Sequence, residues 1–390
     1  MRIGLFTETY EPVQNGVSVS VKTLAEELRV LHHRVVIVAP QYPHYVDESR
    51  FVLRIPSMLT PFSPTYPLSY PFMPLLQNKL RRLEPNILHS HNPFFTGMLA
   101  ANIAKANHIP LVSTYHTLYN HYGHYLIFLP QQAVDGLLEW WLPEYYNRCA
   151  CVICPSRLAE ESLRGYRIET RVEVIPTAVP LPNPADLTEF VTQTARQRWQ
   201  IPAEAPLLLY AGRIAQEKNV QLVLQVFAAL ESEIPDARLL IAGGGPYLDT
   251  LKKKAAELPG ADRVIFAGPT PRNELDPVFA AADIFVFPSS TETQGLVIAE
   301  ARAAGTPCVV VSEGGAAETV SDGEDGLVVP PDLEAFTGAV RHLLQNRGQL
   351  KKMSEACLRN AKNYTPSVMA ERMLRVYDRA IAESRHGKAL

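Results

Sequence analysis

The chain has 390 residues, 47% of them hydrophobic and 20% charged, with a net charge of −3 and five cysteines. That length exceeds what one hydrophobic core usually fills, so two domains are expected. The near-neutral charge excludes a nucleic-acid binder driven by bulk positive charge, and no apolar run approaches the roughly 18 residues a membrane-spanning helix needs. The opening MRIGLFTETY reads as a buried strand followed by polar residues rather than a signal peptide, so a cytoplasmic protein is expected.

Strand and helix patterns alternate along the whole chain, the pattern of parallel sheets covered by helices. In the first half the expected strands are residues 2–7, 34–40, 51–56, 87–91, 111–116, 151–156 and 172–177, with helices over 18–31 and 95–107 among those between them. The stretch 57–76 is dense in proline and aromatics and free of charge. It is expected as an extended loop or a set of turns, packed over the sheet or meeting a lipid. Near ACVICPS, Cys149 and Cys151 are expected on one face of a strand and Cys154 on the other. They read as small buried thiols, because no second CxxC or His pair completes a metal site. The proline-rich AVPLPNPADL (178–187) reads as the linker. Further strands are expected at 207–212, 237–243, 264–268, 284–289, 307–312 and 326–331, and an amphipathic helix over 367–385 closes the chain.

Ligands of open α/β sheets sit outside the carboxyl ends of the strands, so the loops there carry the candidates. After the first strand, Asn15-Gly16 delivers a flexible backbone to a helix start, which suits a phosphate or is an ordinary turn; the dinucleotide fingerprint GxGxxG is absent. After the strand at 207, Arg213 and Lys218 suit a diphosphate, Arg as a fork and Lys as a point charge. Gly243, Gly244 and Gly245 follow the next strand and let backbone approach a ligand or a neighbouring element. In PSSTETQGLVIAEARAAGTPCVV, Glu292 precedes a helix starting near Gln294-Gly295, and Glu300 lies inside it. Eight residues at helical pitch leave the two carboxylates within about 80° of one face. Either they hold vicinal hydroxyls, or Glu292 merely faces the helix dipole while Glu300 is solvated; the apolar run LVIAEARAAG makes the second costly. Nine of the eleven histidines precede residue 125. His89, His91 and His116 fall at strand ends, and His121 and His124 follow. No HExxH supports a metal, and His116 is the expected active-site contact.

In this order the motifs resemble the family-four retaining glycosyltransferases of the two-domain GT-B type, over nearly the whole chain. Glu292-x7-Glu300 looks like the family's E-x7-E, GRIAQEKN like its G-R-x(4)-K segment, and IAGGGP, FVFPS and EARAAGTPCVV follow in the family's order. The resemblance implies an α/β protein of two Rossmann-like doubly wound domains facing across a cleft. Residues 1–180 would bind the acceptor and 181–366 the nucleotide-sugar donor, with a C-terminal helix, about 367–390, packed back on the first. It further implies that Arg213 and Lys218 hold the donor diphosphate, joined by the amides around Gly16, with Gly244 and Gly245 in the nucleotide pocket. Glu300 would hold the ribose. Glu292, with the amides of Thr293, Gln294, Gly295 and Leu296, would hold hydroxyls of the transferred sugar, and His116 would contact the sugar or phosphate near the reacting carbon. The implied catalytic set is therefore His116, Arg213, Lys218 and Glu292. Transfer would retain configuration by same-face attack, the leaving phosphate taking the acceptor proton. No cofactor or metal is implied, and no DxD occurs.

FTETYEPVQNGV, HSHNPFF and STYHTLYNHYGHY resemble the branch containing diacylglycerol glucosyltransferases and phosphatidylinositol mannosyltransferases. That places acceptor contacts at Glu11, Asn15, His91, Tyr119 and His124. UDP-glucose is the first expected donor and GDP-mannose the second. The expected acceptor is a diacylglycerol-type glycerolipid at the inner membrane surface. Charge lends this little help, since residues 1–180 carry 15 Lys and Arg against 14 Asp and Glu. Trp140 and Trp141 either dip into an interface or pack between domains. A soluble sugar or polyol acceptor, a sugar-nucleotide epimerase and a non-catalytic nucleotide-sugar-binding protein stay open.

Overall fold

In a computed structural model, the described residues are 1–47, 49–60, 63–69, 84–119, 131–271 and 274–386. They form two compact units, Met1–Ala178 with Pro366–Leu390, and Val179–Thr365.

The first unit contains β1 (Arg2–Phe6), β2 (Arg34–Pro40), β3 (Val52–Ile55), β4 (Ser57–Thr60), β5 (Ser63–Ser69), β6 (Ile87–Ser90), β7 (Leu111–Thr114), β8 (Cys151–Cys154) and β9 (Val172–Val174). Seven of these run parallel in the order β3-β2-β1-β6-β7-β8-β9. Alternation along each strand divides the apolar side chains between two cores. Ile3, Leu5, Val35, Ile37, Ile87, Val112, Cys151 and Ile153 face one side, where helix Gly16–Val30 and the terminal helix Pro366–Arg385 pack. Phe6, Val38, Leu88, Leu111, Val152 and Cys154 face the other, under helices Phe95–Asn107, Gln131–Tyr146 and Arg157–Gly165. The terminal helix buries Met369, Ala370, Met373, Val376, Tyr377 and Ala380, a stripe at helical period.

The second unit holds β10 (Leu207–Ala211), β11 (Arg238–Ala242), β12 (Val264–Gly268), β13 (Ile284–Phe287), β14 (Cys308–Val311) and β15 (Gly326–Val329). Its order is β12-β11-β10-β13-β14-β15, all parallel. Runs such as LLLYA and CVVV are apolar throughout because helices cover both faces of such a sheet. In each unit the strand order reverses direction once, between β1 and β6 and between β10 and β13. The loops leaving those strands are where an α/β sheet opens a crevice for ligand.

Two expectations need correction. Part of the proline-aromatic stretch is a two-stranded antiparallel ribbon, β4 with β5. Pro64 and Pro67 bar a central strand but are tolerated in a ribbon that is all edge; residues 70–76 lie outside the described residues. Cys149 does not share a face with Cys151. The strand begins only at Cys151, so Cys149 escapes the alternation and packs in the same core as Cys154. All five cysteines are buried and free.

Candidate functional site

In the second unit, the loops after β10 and β11 are laced together by backbone. Gly212 N–H donates to Ala242 O at 2.9 Å, Ile214 N–H to Gly244 O at 2.9 Å and Tyr247 N–H to Ile214 O at 3.1 Å. This approach requires glycine. A Cβ on Gly243 would sit 1.9 Å from Gly212 O, and one on Gly245 2.3 Å from Ile214 O, both at positive φ. Gly245 thus lies against Ile214, whereas Gly244 joins Gly212, Arg213, Gly243, Val297 and Glu300 in lining a cavity of about 330 Å³. Pro269, Thr270 and Leu275 supply its further wall.

Glu292 is not helical. The helix is Leu296–Ala303, N-capped by Gly295 at φ 80°, so Glu292 and Glu300 do not share a helix face as the pitch argument had it. Glu300 is buried in the second turn and reaches the cavity. Glu292 instead accepts a hydrogen bond from Lys218 Nζ at 2.7 Å, with Thr291 Oγ1 3.5 Å from the same ammonium. Lys218 is 9% exposed, brought inward by the 3-10 turn Gln216–Lys218. Arg213 is half exposed and pairs with Glu217 at 3.1 Å. The Glu292 loop is backed by Gly314 and Gly315. Gly315 N–H donates to Glu292 O at 2.8 Å, and a Cβ on Gly315 would lie 2.0 Å from Thr293 O. Gln294 is buried, its carbonyl accepting from Thr319 Oγ1 at 2.8 Å, and Leu296 packs on Val179, Ala299, Ala303 and Ala361. Beneath the helix, Arg302 is buried against Asp325, Thr319 O and the Tyr364 ring. Asp325 is held in turn by Asn360 Nδ2 at 2.8 Å and Ser321 N–H at 2.8 Å. The sequence reading missed this clamp, although an arginine inside EARAAG was its signal.

In the first unit, Asn15 is the N-cap of helix Gly16–Val30, accepting from Ser18 N–H at 2.9 Å while Ser18 Oγ accepts from Asn15 N–H at 2.9 Å. Gly16 is the first residue of that helix. Glu11 pairs with Lys22 at 2.5 Å, and its carbonyl accepts from Arg54 at 2.6 Å. Tyr119 packs edge-on against Phe94 and Tyr115. His121 and His124 lie outside the described residues. His91 is buried with its ring stacked on His89, and its Nδ1 lies 3.0 Å from His116 Nε2. That nitrogen is turned toward His116. Burial lowers His116 to about 4 and holds His91 well below the ordinary histidine range; burial, then the His116 charge, brings His89 to about 3. Glu8, just past β1, was not singled out from the sequence. Its carboxylate accepts from Thr96 N–H at 2.6 Å at the start of helix Phe95–Asn107, and burial raises it to about 7. The pair of tryptophans splits. Trp141 donates Nε1–H to Pro93 O at 3.0 Å, while Trp140 is 63% exposed.

Two parallel α/β units, the second with a cavity at its switch point, fit the two-domain glycosyltransferase class that the sequence resembles, and the comparisons agree. Residues 191–364 match the model of glycosyl transferases group 1, and residues 14–182 that of glycosyltransferase family 4. The alpha-monoglucosyldiacylglycerol synthase of Streptococcus pneumoniae is 33% identical over 318 residues, 79% of this chain and 70% of that protein. The enzyme of the same name from Acholeplasma laidlawii is 28% identical over 382 residues, 95% of each. Among solved structures, a sucrose-phosphate synthase from Thermosynechococcus elongatus superposes with a TM-score of 0.77 at 22% identity, covering 98% of this chain and 100% of that one. The chain belongs to the family-four glycosyltransferases and has the GT-B fold. No helix among the described residues is long and apolar enough to cross a membrane.

Proposed function

We propose that the chain is a retaining hexosyltransferase that moves glucose from UDP-glucose, with GDP-mannose the second choice, to a hydroxyl of a diacylglycerol-type glycerolipid, without a metal. The observation that carries the donor half is the convergence of Arg213, Gly244 and Glu300 on one cavity, with the Lys218–Glu292 pair joining the loops that leave β10 and β13.

In this reading Glu300 accepts the ribose hydroxyls, a role that suits a carboxylate buried at a cavity wall. Arg213 and Lys218 neutralise the diphosphate, and their charge stabilises the leaving group as the glycosidic phosphate bond breaks. Glu292 accepts from Lys218 Nζ at 2.7 Å, and that contact aims its carboxylate as an acceptor for sugar hydroxyls. Gly295 brings no side chain to cap helix Leu296–Ala303, so its first amides suit oxygens of the donor. The leaving phosphate takes the acceptor proton, so the transfer needs no protein nucleophile. His116 donates a hydrogen bond to the sugar or phosphate. On the acceptor side, Leu137 and Trp140 stand exposed three residues apart on helix Gln131–Tyr146 and suit the interface of a membrane surface.

The test has two parts. UDP-, GDP- and ADP-sugars are screened for a rise in melting temperature, since a ligand of the native state stabilises it in proportion to affinity. Transfer from the stabilising donor to diacylglycerol in mixed vesicles is then measured for the wild type, Glu300→Ala and Lys218→Ala. No shift with any donor, or full transfer by either variant, overturns the donor assignment. Transfer to soluble sugars but not to diacylglycerol overturns the acceptor.

A further inference from the structure

We propose that His91 is a positioning residue for His116: it donates Nδ1–H to Nε2 of His116 and so fixes the proton of His116 on Nδ1. This rests on the reading of His116 as an active-site residue.

The geometry starts at β6. Its last residues alternate, so His89 lies within the strand and His91 just beyond, where His91 N–H bonds Phe6 O at 2.8 Å. His89 is pinned at both nitrogens, Nε2 to Thr114 Oγ1 at 2.7 Å and Nδ1 to Tyr377 Oη at 2.7 Å. Its ring forms a floor for His91, with centroids 4.3 Å apart and planes 29° apart. The ring of His116 meets His91 edge to edge, with centroids 5.3 Å apart and planes 22° apart. A ring held in this way has little freedom to turn, and its Nδ1 points at His116 Nε2 at 3.0 Å.

One proton lies between those two nitrogens, and the other end of His91 decides which ring owns it. If His116 Nε2 were the donor, the proton of neutral His91 would sit on its Nε2. That atom is buried and meets no hydrogen-bond partner among the described residues. An orphaned buried N–H is among the rarest defects of native proteins, whereas an unused lone pair is better tolerated. The favoured arrangement places the proton on His91 Nδ1, donated to His116 Nε2. Burial keeps both rings neutral near pH 7, so His116 then carries its proton on Nδ1. The consequence for chemistry is specific. His116 meets a ligand oxygen as a hydrogen-bond donor at Nδ1 and is not poised there as a base.

The decisive experiment is long-range proton–nitrogen correlation spectroscopy of the whole protein labelled with ¹⁵N-histidine, with His91→Asn and His116→Gln used to assign the signals. A protonated Nδ1 and bare Nε2 on His116 is the expected result; a proton on His116 Nε2 overturns the proposal in the folded wild type. Kinetics add a second arm. His91→Phe keeps the stack and removes the donor, and is expected to lower kcat about 10- to 100-fold with the donor KM little changed. His91→Asn, which restores an N–H near the lost one, is expected to recover most of that loss. An unchanged kcat in His91→Phe, or no recovery in His91→Asn, overturns the proposal. Full activity in His116→Gln instead defeats the reading of His116 itself, whatever His91 does.

Discussion

Replacing Glu292 with Gln keeps the size of the side chain and removes one charge from the Lys218 pair. At 2.7 Å the gross attraction between the two groups is about 6 kcal/mol at an effective dielectric of about 20. Desolvation of two largely buried groups offsets most of it, and losing a hydrogen bond to a charged partner costs about 1.5–3 kcal/mol. The amide still accepts one bond from Lys218, so a loss of about 2 kcal/mol is expected, or about 4–8 °C in melting temperature for a unit of this size. Ligand binding is expected to split. Without the neighbouring carboxylate, the Lys218 ammonium faces a diphosphate unopposed, so the nucleoside diphosphate binds as tightly as before or tighter. Transfer is nevertheless expected to fall about 100-fold or more, because the carboxylate proposed to receive the sugar hydroxyls is gone. Calorimetric titration with UDP, a melting curve and initial rates at saturating donor suffice. A weaker nucleoside diphosphate affinity with intact transfer refutes the reasoning, because Glu292 would then serve the diphosphate side and not the sugar.

Three further outcomes are expected. Arg302→Met strands the carboxylate of Asp325, which is fully buried, and is expected to cost about 3–5 kcal/mol in urea denaturation, while Arg302→Met with Asp325→Leu recovers most of it; a single-variant loss below about 1 kcal/mol counts against the clamp. Gly243→Ala places a Cβ 1.9 Å from Gly212 O at φ 149° and is expected to abolish nucleotide binding or folding of the second unit, measured as soluble yield and UDP affinity; wild-type affinity rejects it. His89 and His116 refuse protons in the folded state until about pH 3 and 4, and His91 lower than usual too, while the unfolded chain takes them up near 6.5. Stability therefore falls as pH drops below about 6.5, each histidine contributing up to about 1.4 kcal/mol per pH unit. Glu8, at about 7 when folded, works in the opposite direction between pH 7 and 4.5 and cancels one of the three. A urea midpoint that does not decrease between pH 7 and 5 contradicts the neutral histidine stack.

The fold class was legible because strand runs such as RVVIVAP, VIFAG and CVVV are apolar, short and separated by helical patterns, which sequence periodicity reports directly. The tips were less legible. Expected strands at 87–91 and 111–116 stop at Ser90 and Thr114, because the chain turns into the tip loops once His91 and Tyr115 have donated their N–H groups to Phe6 O and Ile153 O. Pairings across long separations were invisible. Lys218 with Glu292, Arg302 with Asp325 and His89 with Tyr377 join residues 74, 23 and 288 positions apart. Nothing local marks such partners. Glu8 was overlooked because a single glutamate in TETY looks solvated, and only the position of Thr96 makes it a buried carboxylate. Gly314-Gly315 was passed over because its need comes from the Glu292 loop crossing it, not from its own turn.

The stripe of the terminal helix has a temporal consequence. Met369, Met373, Val376 and Tyr377 complete the core of a unit whose sheet is made from residues before 180. A ribosome adding about 5–20 residues per second needs about 10–40 s to make the intervening second unit. During that interval the nascent sheet has helix Gly16–Val30 on this face but lacks its neighbour, and His89 waits without the tyrosine hydroxyl that later anchors it. The first unit begun is thus the last one finished, and the part of the molecule that carries His116 reaches its native form only after synthesis has passed through the second unit.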